Sequence, residues 1–212
     1  MKHIVKSKEP QVLLNFKKEY KSKHHKDAAY KDIEANVKEI LKISLSDEQH
    51  FICCYCMKRI KSNNSHIEHI KPQSQFPSAT LDYNNLLVSC NGLQDSNEHC
   101  GHKKEDWYNA KDFLTPLDPD CEKIFTYNAA GVMDATAKNG KSTIDKLNLN
   151  SLLLIRARNT AIKMSGFFDP DFEQKKQEII NYNTTPNSRN ELPPFCMAVL
   201  YCVNNYTMSH KK

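Results

Sequence analysis

The sequence predicts an α+β fold in which a small cysteine-rich centre is flanked by helices at both ends. Three observations lead to this prediction. Apolar residues recur at helical spacing before residue 46 and again after residue 150. Two short apolar runs, residues 67–70 and 86–88, have the length of buried strands. Four cysteines surround these runs at spacings that suit a metal site.

Helices are predicted on the N-terminal side of this centre. Pro10 suits the first turn of a helix over residues 11–20, and residues 21–26 are predicted to form a polar link. A second helix is predicted over residues 28–42, where apolar residues recur at intervals of three and four. Ser46 is predicted to cap a short third helix that leads into the cysteine-rich centre.

The cysteines predict a structural zinc site. Cys53 and Cys56 have the Cys-x-x-Cys spacing that wraps two thiolates onto one ion, and Cys90 and Cys100 can complete a tetrahedron. The second pair is stretched, with nine residues between its members. Cys54 is an alternative to Cys53, although its spacing from Cys56 suits a metal less well. Four buried thiols or disulfides are the other interpretation, but no secretory signal supports an oxidising compartment.

Glu68 and His69 are candidates for the chemistry of the centre. Neighbouring residues on a strand point to opposite faces, so the two side chains would have different roles. One can bind a metal ion while the other transfers a proton, which is the division that phosphodiester hydrolysis requires. Asn85 and His102 follow within the same cysteine frame.

This order of motifs resembles the HNH endonuclease family. The match is residue by residue in the central motifs: Cys53 and Cys56, Glu68-His69-Ile70 with Pro72, Asn85-Leu86, Cys90, and Cys100 with His102-Lys103-Lys104. The resemblance implies a zinc-stabilised ββα-metal core, made of two strands, the loop between them and a helix around one divalent ion.

The resemblance also implies a role for each residue. His69 would be the general base, Glu68 and His102 would bind the catalytic ion, and Asn85 would fix the loop and orient the base. The ion would be Mg²⁺ or Mn²⁺, whereas Zn²⁺ would occupy the cysteine site.

The third motif residue is left open by an insertion at residues 91–99, where the family usually has a tight second knuckle. His102 is the preferred candidate, and His99 and Asn91 are the alternatives.

Three lysines are predicted to contact nucleic acid. Lys71 follows the Glu68-His69 pair, and Lys103 and Lys104 lie next to His102 at the start of a predicted helix. The net charge of +5 is concentrated in residues 1–42, which carry eleven lysines and six acidic residues. A basic surface is compatible with a polyanionic substrate but does not establish one.

Further motifs run from about residue 4 to residue 165 and resemble one branch of the family, the HNH nuclease subunit of Septu-type and retron-associated anti-phage defence systems. These motifs are Glu9-Pro10, Cys53-x-Tyr55-Cys56, residues 81–87, residues 99–103, Pro116-Leu117, Phe125-x-Tyr127 with Gly131, and residues 147–150 with Arg156. This resemblance implies an ATPase partner, with a retron reverse transcriptase and its RNA–DNA as a further expected partner. We expect the partner to restrain the nuclease, because an enzyme of this type that was always active would poison its host. DNA and RNA, including tRNA, remain open as substrates. Two alternative functions are a non-catalytic zinc module that binds nucleic acid and a protein-interaction subunit whose nuclease centre has decayed.

The 212 residues are predicted to form three regions: an N-terminal basic helical segment (1–46), the nuclease core (47–115) and a mostly helical C-terminal part packed on the core (116–212). No signal peptide or run of eighteen apolar residues is visible, so the expected location is the cytoplasm. Within the C-terminal part we predict a turn at 118–121, a strand at 124–127 with a turn at 128–131, and helices at 152–164, about 169–182 and 195–203.

Overall fold

The structure, a computed structural model, describes residues 1–92 and 98–205. Within these residues the chain forms helices at both ends and two small antiparallel sheets, which confirms the predicted α+β class. The elements are α1 (Gln11–His24), α2 (Ala35–Glu48), β1 (Ser65–His69), β2 (Leu86–Cys90), α3 (Gly101–Lys104), α4 (Cys121–Ile124), β3 (Phe125–Tyr127), β4 (Met133–Ala135), α5 (Lys138–Lys146), α6 (Leu152–Met164), α7 (Phe172–Thr184) and α8 (Cys196–Asn204).

The central sheet pairs β1 with β2 in antiparallel register. Glu68 lies opposite Leu87, and His69 lies opposite Leu86. Every residue of β2 is buried, and α2 packs against this strand. The side chain of Gln49 donates to the carbonyl of Val88 and accepts from its amide. The end of α2 is thereby fixed to the middle of β2.

The cysteine-rich loop before β1 is also tied to the last helical region. The amide of Phe195 donates to the carbonyl of Met57, and the amide of Leu192 donates to the carbonyl of His50. One hydrophobic core runs from the N-terminal helices through the central sheet to α8. The three predicted regions therefore share one core. Helix α2 crosses the predicted limit at residue 46. The limits of the three regions stay a prediction.

The N-terminal helices differ from the sequence prediction in their limits. Residues 21–24 belong to α1 rather than to a polar link, and the helix ends where His25 adopts a left-handed conformation, φ 54°. The second helix was expected from residue 28, but Ile33 and Glu34 are extended and α2 begins at Ala35.

Ser46 does not cap a third helix. It lies inside α2, and its hydroxyl donates to the carbonyl of Lys42. Leu41 and Leu45, four residues apart on one face, are both fully buried. Their packing carries the helix through a residue that would otherwise favour a helix start.

The C-terminal part follows the prediction more closely. The limits of α6 match, whereas α7 begins three residues later than predicted and α8 one residue later. The turn before β4 contains Gly131 at φ 89°. Residues 134–146, for which no element was predicted, contain part of β4 and all of α5. Across the described ranges, no helix is both long enough and apolar enough to cross a membrane.

Candidate active site and cysteine cluster

Four buried cysteines converge at one end of the central sheet. The Sγ atoms of Cys53, Cys56, Cys90 and Cys100 all lie within 4.8 Å of one another, and those of Cys56 and Cys90 are 3.7 Å apart. Sulfurs at about 2.3 Å from a tetrahedral zinc ion lie about 3.8 Å from each other. The cluster therefore has the size that a zinc ion requires.

The backbone around the cluster is arranged to donate to sulfur. The amide of Cys90 donates to Cys53 Sγ, and the amide of Lys58 donates to Cys56 Sγ. Burial opposes a charge on Cys53, but hydrogen bonds from Cys100 and the neighbouring thiols outweigh it and place its pKa well below the ordinary value. Cys54 is buried outside the cluster. Of the two alternatives left by the sequence, Cys53 is the one that lies with the other three sulfurs.

His99 belongs to the surroundings of the cysteine cluster. It is buried, and its Nδ1 lies 3.3 Å from Cys100 Sγ and 3.8 Å from Cys90 Sγ. An imidazole in this position can donate its N–H to a thiolate. A third motif residue that binds the catalytic ion would have to face Glu68. The contacts of His99 are instead with the cysteine sulfurs.

Glu68 lies on β1 and is buried, with 6% of its surface exposed. Its Oε1 accepts from the Tyr55 hydroxyl at 3.1 Å and pairs with Lys104 Nζ at 3.0 Å, while its Oε2 lies 3.4 Å from His66 Nε2. Burial alone would raise the pKa of this carboxyl, but the hydrogen bond from His66 and the charge of Lys104 outweigh it and lower the pKa. The side chain is thus a buried carboxylate.

His69 lies on the other face of β1. Its Nε2 is 3.0 Å from the carbonyl oxygen of Thr80, and its ring packs edge-on against Tyr30. A carbonyl only accepts hydrogen bonds, so Nε2 carries the proton and Nδ1 keeps its lone pair. Burial, the largest cause, lowers the pKa of His69. The geometry therefore favours a neutral imidazole with a basic Nδ1.

Asn85 connects both ends of the segment that follows β1. Its Oδ1 accepts from the amide of Lys71 at 2.7 Å, and its Nδ2 donates to the carbonyls of Lys71 and Ala79 at 3.0 Å each. The Ala79 contact is next to Thr80, the hydrogen-bond partner of His69. These bonds fix the loop that supplies the His69 acceptor.

His66 is a site residue that the sequence analysis missed. It precedes Glu68 by two residues on β1, and residues two apart on a strand share a face. That alternation was the available signal. The His66 ring lies 4.9 Å from the His102 ring, and its Nδ1 lies 3.2 Å from Asn91 Oδ1. Burial favours its neutral form, but Glu68 outweighs burial and raises its pKa.

The candidates for the third motif residue thus occupy different places. His102 is exposed on α3 beside His66, whereas Asn91 contacts the far side of the His66 ring. In the described parts of the chain, only the four cysteines bring three or more metal-binding side chains within 4.8 Å of one another. The assignment of His102 as a metal ligand stays a prediction.

The three lysines predicted to contact nucleic acid are not equivalent. Lys71 and Lys103 are exposed. Lys104 is buried, with 2% of its surface exposed, and its ammonium pairs with Glu68 and donates to the carbonyl of His69. The ammonium of Lys104 is therefore bound within the protein and does not face solvent. The predicted contact between Lys104 and nucleic acid is corrected to a buried ion pair with Glu68.

Comparison with known proteins places the chain in a family. Residues 53–92 match the family described as "HNH endonuclease". Over 155 residues the chain is 30% identical to the "Retron Vc95 putative HNH endonuclease" of Vibrio cholerae serotype O1 biovar El Tor, an alignment that covers 68% of this chain and 74% of that protein. The chain belongs to the HNH endonuclease family. The predicted family and enzyme class, a nuclease, are confirmed.

This HNH endonuclease is also similar to a second protein. It is 27% identical over 117 residues to the "Septu protein PtuB" of Bacillus thuringiensis, an alignment that covers 54% of this chain. The chain spans only 43% of that relative's length. The expected relation to Septu and retron proteins is confirmed. The family match contains Glu68, His69 and Asn85 but ends before His102.

Proposed function

We propose that this chain is a metal-dependent HNH endonuclease that hydrolyses phosphodiester bonds of nucleic acid as the effector of an anti-phage defence system. The observation that carries the proposal is the placement of Glu68 and His69 on opposite faces of β1. A buried carboxylate on one face and a neutral imidazole on the other supply the two roles that this hydrolysis needs.

His69 acts as the general base in this proposal. Its Nε2–H is engaged by the carbonyl of Thr80, so the proton of an attacking water goes to Nδ1. Burial keeps the imidazole uncharged near neutral pH. Asn85 is a positioning residue because it fixes the loop that contains the Thr80 acceptor.

Glu68 and His102 bind the catalytic divalent ion, Mg²⁺ or Mn²⁺, in this proposal. The carboxylate suits the ion because Oε1 is fixed by Tyr55 and Lys104, whereas Oε2 faces the imidazole of His66. When bound, such an ion stabilises the charge that develops on the phosphate and the leaving oxygen. Lys71 and Lys103, both exposed, contact the nucleic-acid backbone.

In this proposal the four cysteines of the cluster would hold Zn²⁺, and that ion would not contact substrate. Four thiolates in tetrahedral spacing suit a structural zinc ion, and the N–H groups that donate to sulfur would compensate its negative charge.

An ATPase partner restrains the nuclease in this proposal, and a retron reverse transcriptase with its RNA–DNA is a further candidate partner. The support is the similarity to proteins named for a retron and for Septu. A nuclease that cut freely would damage its own cell, so activity should require release by the partner.

The test compares cleavage of plasmid DNA and of total RNA, including tRNA, by wild-type protein and His69→Ala. Each protein is assayed with and without Mg²⁺ or Mn²⁺ and with the co-expressed ATPase. Wild-type cleavage that is lost in His69→Ala and kept in His25→Ala, an exposed histidine on another part of the chain, supports the proposal. Cleavage that survives His69→Ala overturns the assignment of the base.

A further inference from the structure

The two oxygens of the Glu68 carboxylate have different surroundings. Oε1 accepts from the Tyr55 hydroxyl at 3.1 Å and from Lys104 Nζ at 3.0 Å, and both of these donors are buried. Oε2 faces His66 Nε2 at 3.4 Å. One oxygen is therefore fixed by the protein, and the other is directed towards an imidazole.

The His66 ring is oriented by its other nitrogen. Nδ1 lies 3.2 Å from the side-chain oxygen of Asn91, which only accepts, so Nδ1 carries a proton. In the neutral ring, Nε2 then presents a lone pair to a carboxylate oxygen. In the protonated ring Nε2 donates to Glu68 Oε2, whereas in the neutral ring a metal ion can take the place of that proton between the two atoms. A ligating histidine typically donates its second N–H to an oxygen in this way.

Gly101 leaves the space in which these two side chains meet. A Cβ atom at this position would collide with Glu68 Oε2 and would lie 2.6 Å from His66 Nε2. The next residue is His102, whose ring lies 4.9 Å from the ring of His66. The His66 imidazole thus faces the Glu68 carboxylate and also lies beside the His102 ring.

We infer that His66 is a third protein ligand of the catalytic ion, together with Glu68 and His102, and that Asn91 orients it. This inference rests on the proposed function, because it concerns the ion of the same centre. His66 is on the metal side of β1, whereas His69 is on the opposite side and stays available as the base.

A ligand set with two imidazoles changes the choice of ion. Mg²⁺ prefers oxygen ligands and keeps several waters, whereas imidazole nitrogen suits transition-metal ions. Two histidines and one carboxylate therefore disfavour Mg²⁺ relative to a divalent transition ion at this centre, and Mn²⁺ serves as the paramagnetic probe.

The test measures Mn²⁺ binding to zinc-loaded protein by electron paramagnetic resonance, independently of cleavage. Wild-type protein should bind one Mn²⁺, and pulsed spectra should show nitrogen coupling from imidazole ligands. His66→Phe keeps a ring beside His102 but removes both nitrogens. Because changes even in outer-shell partners cost about 10–100-fold in affinity, loss of this ligand should weaken Mn²⁺ binding at least about tenfold and reduce the nitrogen coupling.

His66→Asp and His25→Phe complete the design. His66→Asp replaces nitrogen by oxygen, so the Mg²⁺ concentration that displaces half of the bound Mn²⁺ should fall at least about tenfold relative to wild type. His25→Phe removes an exposed histidine of the N-terminal region and should leave Mn²⁺ binding unchanged.

Unchanged affinity and unchanged nitrogen coupling in folded His66→Phe overturn the inference, even if the wild-type protein cleaves nucleic acid. Absence of any Mn²⁺ binding to folded wild type also overturns it, since the cation at His66 is then only a proton. Failure of the proposed function is recognised separately, by a wild-type protein that binds Mn²⁺ through His66 but cuts neither DNA nor RNA with the ATPase present.

Discussion

Lys104 and Glu68 form an ion pair that is buried in the centre of this HNH endonuclease, with 3.0 Å between Nζ and Oε1. The same ammonium donates to the carbonyl of His69. One lysine therefore contacts both residues of the Glu-His pair, the side chain of the first and the backbone of the second.

Lys104→Met is expected to lower the free energy of unfolding by about 3–5 kcal/mol, because it leaves the buried carboxylate of Glu68 without its cation. Urea unfolding measures the change. Lys103→Met makes the same replacement at the exposed neighbour and should cost less than about 0.5 kcal/mol. Equal losses of unfolding free energy in the two variants would show that the buried ion pair does not stabilise the fold.

Asn85→Ala is expected to reduce both stability and cleavage. It removes three hydrogen bonds, for a loss of about 3 kcal/mol, and a misplacement of the base by about 1 Å costs about 100-fold in rate. Unfolding and cleavage rates are measured side by side. The control is Asn84→Ala, where the side chain is exposed; a similar loss of cleavage there would contradict the role of Asn85.

Cys56→Ser is expected to abolish zinc binding and to lower Tm by at least about 10 °C, because zinc binding to such sites is coupled to folding. Zinc content by elemental analysis and thermal unfolding are the measurements. Cys54→Ala changes a buried cysteine outside the cluster and should keep one zinc ion per chain. Full zinc content in Cys56→Ser would remove this cysteine from the ligand set.

The pH dependence of cleavage should reflect the environment of His69. Burial disfavours the imidazolium and lowers its pKa below the ordinary 6.5, so the neutral base persists at a pH where an exposed histidine is half protonated. Activity should therefore decline only as the pH falls below 6.5. The pH profile of kcat/KM under single-turnover conditions checks this, and an acid limb centred above pH 7 would contradict it.

The strands and one helix could be predicted because their signals are local. The apolar run at residues 86–88 is buried on both faces in β2, and periodicity alone located α6. Ser46 was misread because a cap signal competes with the burial of Leu45 beside it. That burial depends on the strand packed against α2, and nothing near Ser46 in the sequence indicates it.

The site was predictable in its motif but not in its electrostatics. Glu68, His69 and Asn85 were found from order and spacing. His66 was not predicted because the adjacent Glu-His pair is the stronger motif. The alternation of side chains along a strand nevertheless places residues 66 and 68 on one face of β1. The burial of Lys104 depends on a partner 36 residues earlier in the chain, and the lysine looks the same in sequence as its exposed neighbour.

Three consecutive residues have three different roles. Cys100 belongs to the cysteine cluster, Gly101 leaves room for Glu68 and His66, and His102 lies beside His66 at the proposed metal site. Loss of zinc would free Cys100 and displace its two neighbours with it. A chelator that removes either ion would then inactivate the nuclease. After loss of zinc, adding Mn²⁺ alone would not restore cleavage. The metal-free protein should therefore recover activity when zinc is added first and the second ion afterwards. It should not recover activity when the second ion is added before zinc.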